Sequence, residues 1–167
     1  MGFTVTPIGT PGTAGAFTIT SRRERESIDD LAPESLALID GAHTVTLATH
    51  GAGERIHLSP MWFKASPDRK AVEINTVKGR AKDHQMRANG TVSIQITDAT
   101  NPYSWITIYG EVEDVIEESD PERGHLATES IDDLSELYVK RRPYAFRVEG
   151  EERVIFRIAV SQISTFG

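Results

Sequence analysis

The chain has 167 residues, 38% hydrophobic and 26% charged, which suits one soluble globular domain with a sizeable core. Lysines and arginines number 18 against 25 acids, and the formal charge of −7 argues against a general nucleic-acid or anionic-membrane surface. There is no cysteine, which removes disulfides, thiolate catalysis and cysteine-ligated metals and fits a cytoplasmic location. No apolar run approaches membrane-spanning length, and the first residues lack a basic-then-apolar signal pattern.

Residues 1–20 are rich in Gly, Thr and Pro, carry no charge and read as a flexible or loosely docked arm. Gly9, Gly12 and Gly15 are not a dinucleotide fingerprint, because the spacing is wrong and no strand is expected before them. Residues 21–32 are highly charged and read as a solvated turn or short helix. Pro33 suits the first position of a helix that carries Leu36, Leu38 and Ile39 and stops at Gly41. Residues 43–49 and 55–65 read as strands joined by a glycine-bearing hairpin at 50–54. Ser66-Pro67-Asp68-Arg69 is a turn, followed by a strand over 71–76.

A short helix is predicted over Ala81–Ala88, with Asn89-Gly90 as a left-handed cap. Thr91–Thr97 alternates as a strand, Asn101-Pro102 is a turn, and 104–116 is a long strand. Residues 119–140 read as helix, with Ile131, Leu134, Leu137 and Tyr138 at helical spacing. Val154, Phe156, Ile158 and Val160 share one face of a last strand over 153–160. Six strands joined mostly by turns predict an antiparallel barrel or strongly curled sheet with helices around it, since closure removes exposed edges. The expected organisation is an N-terminal extension over 1–32 and one domain over 33–167.

The most informative stretch is 75–90, where Lys78, Arg80 and Lys82 alternate around Gly79 just before a helix. A glycine-bearing turn that feeds a helix start offers backbone N–H groups and the positive dipole end to an anion. Arginine adds a planar fork for phosphate oxygens and lysine a mobile point charge. By charge alone the cluster reads first as a solvated basic loop that offsets nearby acids.

Familiar catalytic motifs are absent: there is no G-x-S-x-G elbow, no H-E-x-x-H and no P-loop. His43, His50, His57, His84 and His125 do not pair at metal-binding spacing, and no metal site is expected. The acidic pairs Asp29-Asp30, Glu117-Glu118 and Asp132-Asp133 read as solvated faces. An anion cradle without a nucleophile or metal points to chemistry supplied by a bound cofactor, with no catalytic side chain assigned.

The string Ile56-His57-Leu58-Ser59-Pro60-Met61-Trp62-Phe63 resembles the second strand of the pyridoxamine 5'-phosphate oxidase-like split-barrel superfamily. Residues 74–82 resemble its phosphate-binding turn, 98–110 its following strand pair, and 152–158 its closing strand. The order and spacing of these pieces over 35–165 carry the resemblance. Within the superfamily the chain is most similar to the branch that uses the deazaflavin coenzyme F420, whose Arg-x-Lys-x-x-(Asn/Gln) pattern is matched by Arg80, Lys82 and Gln85.

The resemblance implies a mainly β, α+β fold: a six-stranded antiparallel split β-barrel of the FMN-binding type with peripheral helices. It implies a homodimer with two cofactor sites at the subunit interface. Lys78, Arg80 and Lys82 would meet the cofactor phosphate, with Thr76 and Gln85 beside them, and Ser59, Met61 and Trp62 would line the ring pocket. Tyr103 and Trp105 would reach the cofactor from the partner subunit. The implied activity is an oxidoreductase that uses F420, or alternatively FMN, to pass a hydride to an electron-poor small organic substrate. A non-catalytic flavin or haem carrier or sensor is the rival, and His57 would be the axial ligand for haem. The C-terminal Arg/His substrate motif of true pyridoxamine phosphate oxidases is not matched by 153–158, and the N-terminal segment is longer than usual.

Overall fold

In the computed structural model of this chain, residues 2–9 and 23–166 are described. The strands are β1 (Phe3–Gly9), β2 (Arg23–Arg25), β3 (Val45–His50), β4 (Ile56–Met61), β5 (Phe63–Ala65), β6 (Ala71–Val77), β7 (Thr91–Thr97), β8 (Trp105–Glu117) and β9 (Arg153–Phe166). Three α-helices accompany them: α1 (Pro33–Asp40), α2 (Ala81–Ala88) and α3 (His125–Val139). None of these helices is long and apolar enough to cross a membrane.

The six expected strands are present as a split barrel. β7 pairs with both β3 and β8, β8 with β9, β9 with β6, and β6 with β5, all antiparallel. β3 pairs with β4 on its other side. The predicted strand over 55–65 is therefore two strands, interrupted at Trp62, where the chain leaves β3 and joins β6. The ladder is broken there and the sheet does not close.

Alternation along these strands points Val45, Leu47, Ile94, Ile96, Ile106, Ile108, Phe156 and Ile158 into one continuous core. β8 and β9 form the long spine. Their ladder shifts register between Tyr109 and Gly110. A Cβ on Gly110 would lie 2.4 Å from the Ala159 carbonyl oxygen, so only glycine allows the two backbones to approach this closely.

Beyond the six expected strands, β1 runs parallel to the C-terminal half of β9 and antiparallel to β2. Phe3 and Val5 are buried and join the core. Part of the stretch read as an arm is thus sheet; Gly12 and Gly15 lie outside the described residues. Within the charged segment 21–32, a short 3-10 turn (Ile28–Asp30) is held by a reciprocal Ser27–Asp30 cap and buries Ile28 completely.

Two helix ends differ from expectation. Asn89 is extended (φ −146°, ψ 108°) rather than left-handed, because the chain runs straight into β7 and its side-chain oxygen accepts the Thr91 N–H at 3.0 Å. The helix expected from 119 begins at His125, because the Asp120 carboxylate accepts the N–H groups of Glu122 and Arg123 at 2.9 Å and holds a turn instead.

Candidate functional site

The break at Trp62 opens a cavity of about 290 Å³. Pro60, Met61 and Trp62 form one wall, Ile131 and Leu134 of α3 another, and Tyr144 closes a side from the loop after α3. Asn75 and Thr76 enter from β6, Arg80 from the turn after it, and Arg153 from the start of β9. The register pairing Val77↔Arg153 explains why the end of β6 and the start of β9 meet there.

Helix α3 sets the wall through Tyr138. Its ring stacks on Trp62, with centroids 5.1 Å apart and planes 17° from parallel. Its hydroxyl donates to the His43 carbonyl at 2.8 Å and accepts the Phe63 N–H at 3.3 Å. These bonds satisfy backbone groups that the strand break leaves without a ladder partner.

The cavity is electropositive. Arg80 and Arg153 reach it, and no carboxylate among the described residues lines it. Lys82, beside Arg80, has no hydrogen-bond or ion-pair partner among the described residues. Burial, and then the neighbouring Arg80, push its pKa down. Several buried polar atoms lack partners: Ser59 Oγ, Thr76 Oγ1, Asn75 Oδ1 and Arg153 Nε. Asn75 is oriented by its amide, which donates to the Ala127 carbonyl at 2.8 Å. Such atoms are costly in an apolar surround unless a ligand meets them.

The residues singled out in the sequence divide into groups. Met61, Trp62, Thr76 and Arg80 line the cavity together. Ser59 is buried on β4 just before them. Lys78 does not share the cavity: its ammonium is bound between Glu117 at 2.5 Å and Glu152 at 3.3 Å. Gln85 is engaged within the fold, accepting from Thr49 Oγ1 at 2.7 Å and meeting His57 Nδ1 at 2.8 Å. Trp105 stacks on Phe166 at the far end of β8, and Tyr103 is exposed. Gly79 makes the expected turn, in a left-handed conformation (φ 85°), but its N–H donates to the buried Asp83 carboxylate at 2.7 Å. That amide is therefore already occupied.

The sequence pattern of one family, pyridoxamine 5'-phosphate oxidase, matches residues 31–167, which span this split barrel and its cavity. The chain belongs to the pyridoxamine 5'-phosphate oxidase family. Solved structures share the architecture. An F420 reductase superposes with a TM-score of 0.62 at 23% identity, covering 77% of this chain and 94% of that one. HupZ of Group A Streptococcus does so at 0.57 and 15%, covering 81% and 93%. A FAD-binding protein from Mesorhizobium loti does so at 0.54 and 22%, covering 80% and 92%. At these identities the likeness is one of fold. None of the curated proteins matches the chain.

Within this family member, the sequence reading missed Asn75, Tyr144 and Arg153. Arg153 carried a faint signal: it alternates with Ile155, which is also buried, so its face of β9 is covered. Tyr144 follows a proline in a segment without periodicity, where pattern has nothing to say. Among the described residues no group of three His, Asp or Glu side chains is placed to hold a metal ion.

Proposed function

We propose that this protein is an oxidoreductase that binds a deazaflavin (F420) or FMN in the cavity at the Trp62 strand break and acts on an electron-poor small organic substrate. The observation that carries the reading is the combination of an aromatic wall, unpartnered buried polar atoms and two arginines, Arg80 and Arg153, in one cavity. Bound there, either cofactor would supply hydride-transfer chemistry.

The chain's own residues bind, orient and exclude water. Arg80 and Lys82 would hold the phosphate, Arg80 exchanging its exposed contact to Glu151 at 3.1 Å for an anion. Thr76 Oγ1 would donate toward the same end of the ligand, and Met61 and Trp62 would flank the ring. Tyr138 keeps Trp62 in place. Both cofactors share a tricyclic ring, a ribityl chain and a phosphate, so this cation set accepts either. A volume of about 290 Å³ is at the low end for small-molecule sites. That suits a site completed by a second copy of the chain, bringing Tyr103 and Trp105. Ile56, Leu58 and Tyr103 are exposed apolar surface available for such pairing.

The test is fluorescence titration of the purified protein with each cofactor, followed by turnover of a reduced cofactor with quinone or conjugated-carbonyl acceptors. If neither cofactor binds below about 100 μM, roughly −5.5 kcal/mol, the reading fails. A non-catalytic flavin carrier is the second reading, favoured by a lining without carboxylate, histidine or cysteine. Binding without acceleration of electron transfer to any acceptor would select it. A haem carrier would need His57, which is tied to Gln85 and does not line the cavity.

A further inference from the structure

Arg153 is only 4% exposed, yet no carboxylate pairs with its guanidinium among the described residues. The contrast is with the ion-paired arginines, since the other arginines without a carboxylate among the described residues, Arg23, Arg25, Arg55 and Arg141, are not buried. Arg69, Arg80, Arg87, Arg123, Arg142, Arg147 and Arg157 each meet at least one carboxylate, and all of them are more exposed. The acids closest to Arg153 are committed elsewhere. Glu118 accepts the Arg153 backbone N–H at 3.0 Å, while its oxygens bind Arg147 and the Thr128 hydroxyl. Glu151 is bound to Arg80.

The Arg153 guanidinium lies over the face of Tyr144, 4.9 Å from the ring centroid, and its Nε has no partner. An arginine stays charged at any physiological pH, so this is a buried cation with no carboxylate in direct ion-pair contact among the described residues; burial is the largest influence on it, ahead of the favourable fields of Tyr144 and Glu151. It lines the cavity beside Arg80 and the unpartnered Thr76 hydroxyl. The planar fork matches a carboxylate or phosphate through two parallel N–H donors, and the tyrosine face fixes its plane.

We propose that Arg153 is an oxyanion-binding residue, taking a carboxylate or phosphate of the small molecule held in the cavity. The proposal rests on the functional reading above only in placing that molecule here. Two sources carry this chemistry, the phosphate of the cofactor and an acidic group on the substrate. In the second case the substrate class narrows to electron-poor organic acids.

The test begins with the whole wild-type chain. The Arg153 Nε–H resonance, assigned by its loss in Arg153→Lys, is followed while sodium phosphate or sodium benzoate is added. It should shift saturably with at least one of them, at a Kd on the order of 1 mM. No shift with either anion overturns the proposal, and the titration itself is made on the wild-type chain. Separate arms locate the source, using Arg153→Gln with FMN, F420 and the same rings and ribityl chains lacking phosphate. A loss of about tenfold or more confined to the phosphorylated forms assigns Arg153 to the cofactor. Unchanged cofactor affinity, with benzoate binding to the loaded protein weakened about tenfold, assigns it to the substrate. Equal weakening of every ligand, or of none, overturns the proposal. If neither cofactor binds the wild type while the resonance still shifts, the cofactor reading fails and the anion site stands.

Discussion

Tyr138 stacks on Trp62 at 5.1 Å, and the same side chain ties His43 and Phe63 across the point where the barrel ladder is interrupted. One helix residue thus repairs the backbone of a strand break and fixes the aromatic wall of the cavity that the break creates. Replacing it with phenylalanine keeps the stacking surface but leaves the Phe63 N–H and His43 carbonyl without that partner. Tyr138→Phe should cost about 1–3 kcal/mol of stability. Urea denaturation followed by tryptophan fluorescence checks this, and an unchanged midpoint would show that water serves those groups equally well.

The cationic turn should act unequally. Arg80→Ala or Lys82→Ala should weaken cofactor binding by about 1.5–3 kcal/mol, the range of charge-assisted hydrogen bonds. Lys78→Ala should leave it essentially unchanged, because Lys78 is held in exposed ion pairs to Glu117 and Glu152 and does not line the cavity. Fluorescence titration of the three variants side by side separates these outcomes. Equal losses in all three would mean that the ion pairs of Lys78 break on binding.

Thr76 offers a test with two independent readouts. Its buried hydroxyl has no partner, so Thr76→Val should leave the stability of the free protein unchanged or slightly raised. If the hydroxyl meets the cofactor, the same variant should lose about 0.5–1.5 kcal/mol of binding. Thermal melts with and without cofactor read both quantities, and a variant less stable in the free form would point to a hydrogen bond within the fold.

Acid should loosen the region behind the cavity. The Arg147 guanidinium, helped by the Thr128 hydroxyl and the Arg153 N–H, holds the Glu118 carboxyl down at about 2 against a usual value of 4.5. A depressed folded-state value means that the stabilisation is complete above about pH 4.5 and is lost as pH falls toward 2. The contribution is at most about 3 kcal/mol. Comparing urea midpoints of wild type and Glu118→Gln across this window should show the two curves converging at low pH; parallel curves would remove Glu118 from the acid response.

Self-association is a further expectation. Light scattering should give twice the chain mass, and cofactor affinity should fall on dilution below the dimer constant. A monomer at all concentrations would remove Tyr103 and Trp105 from the site, since neither lines the cavity within its own chain.

Six strands, three helices and a cationic turn before α2 were legible in the sequence, because each is written in local pattern: alternation, helical spacing, proline and glycine at boundaries. The family resemblance was legible for the same reason, as ordered local strings over most of the chain. Local pattern says which side of its own element a residue faces. It does not say what lies opposite. Only the tertiary structure decided that Lys78 meets Glu117 and Glu152, that Asp83 occupies the Gly79 amide, and that Gln85 bonds Thr49 and His57. The cavity is decided at the same level. It exists because strand pairing brings 60–62, 75–80 and 153 together and the packing of α3 and the loop after it adds 131–134 and 144, positions far apart along the chain. Such meetings depend on register and packing summed over the whole sheet, which no window of neighbouring residues contains.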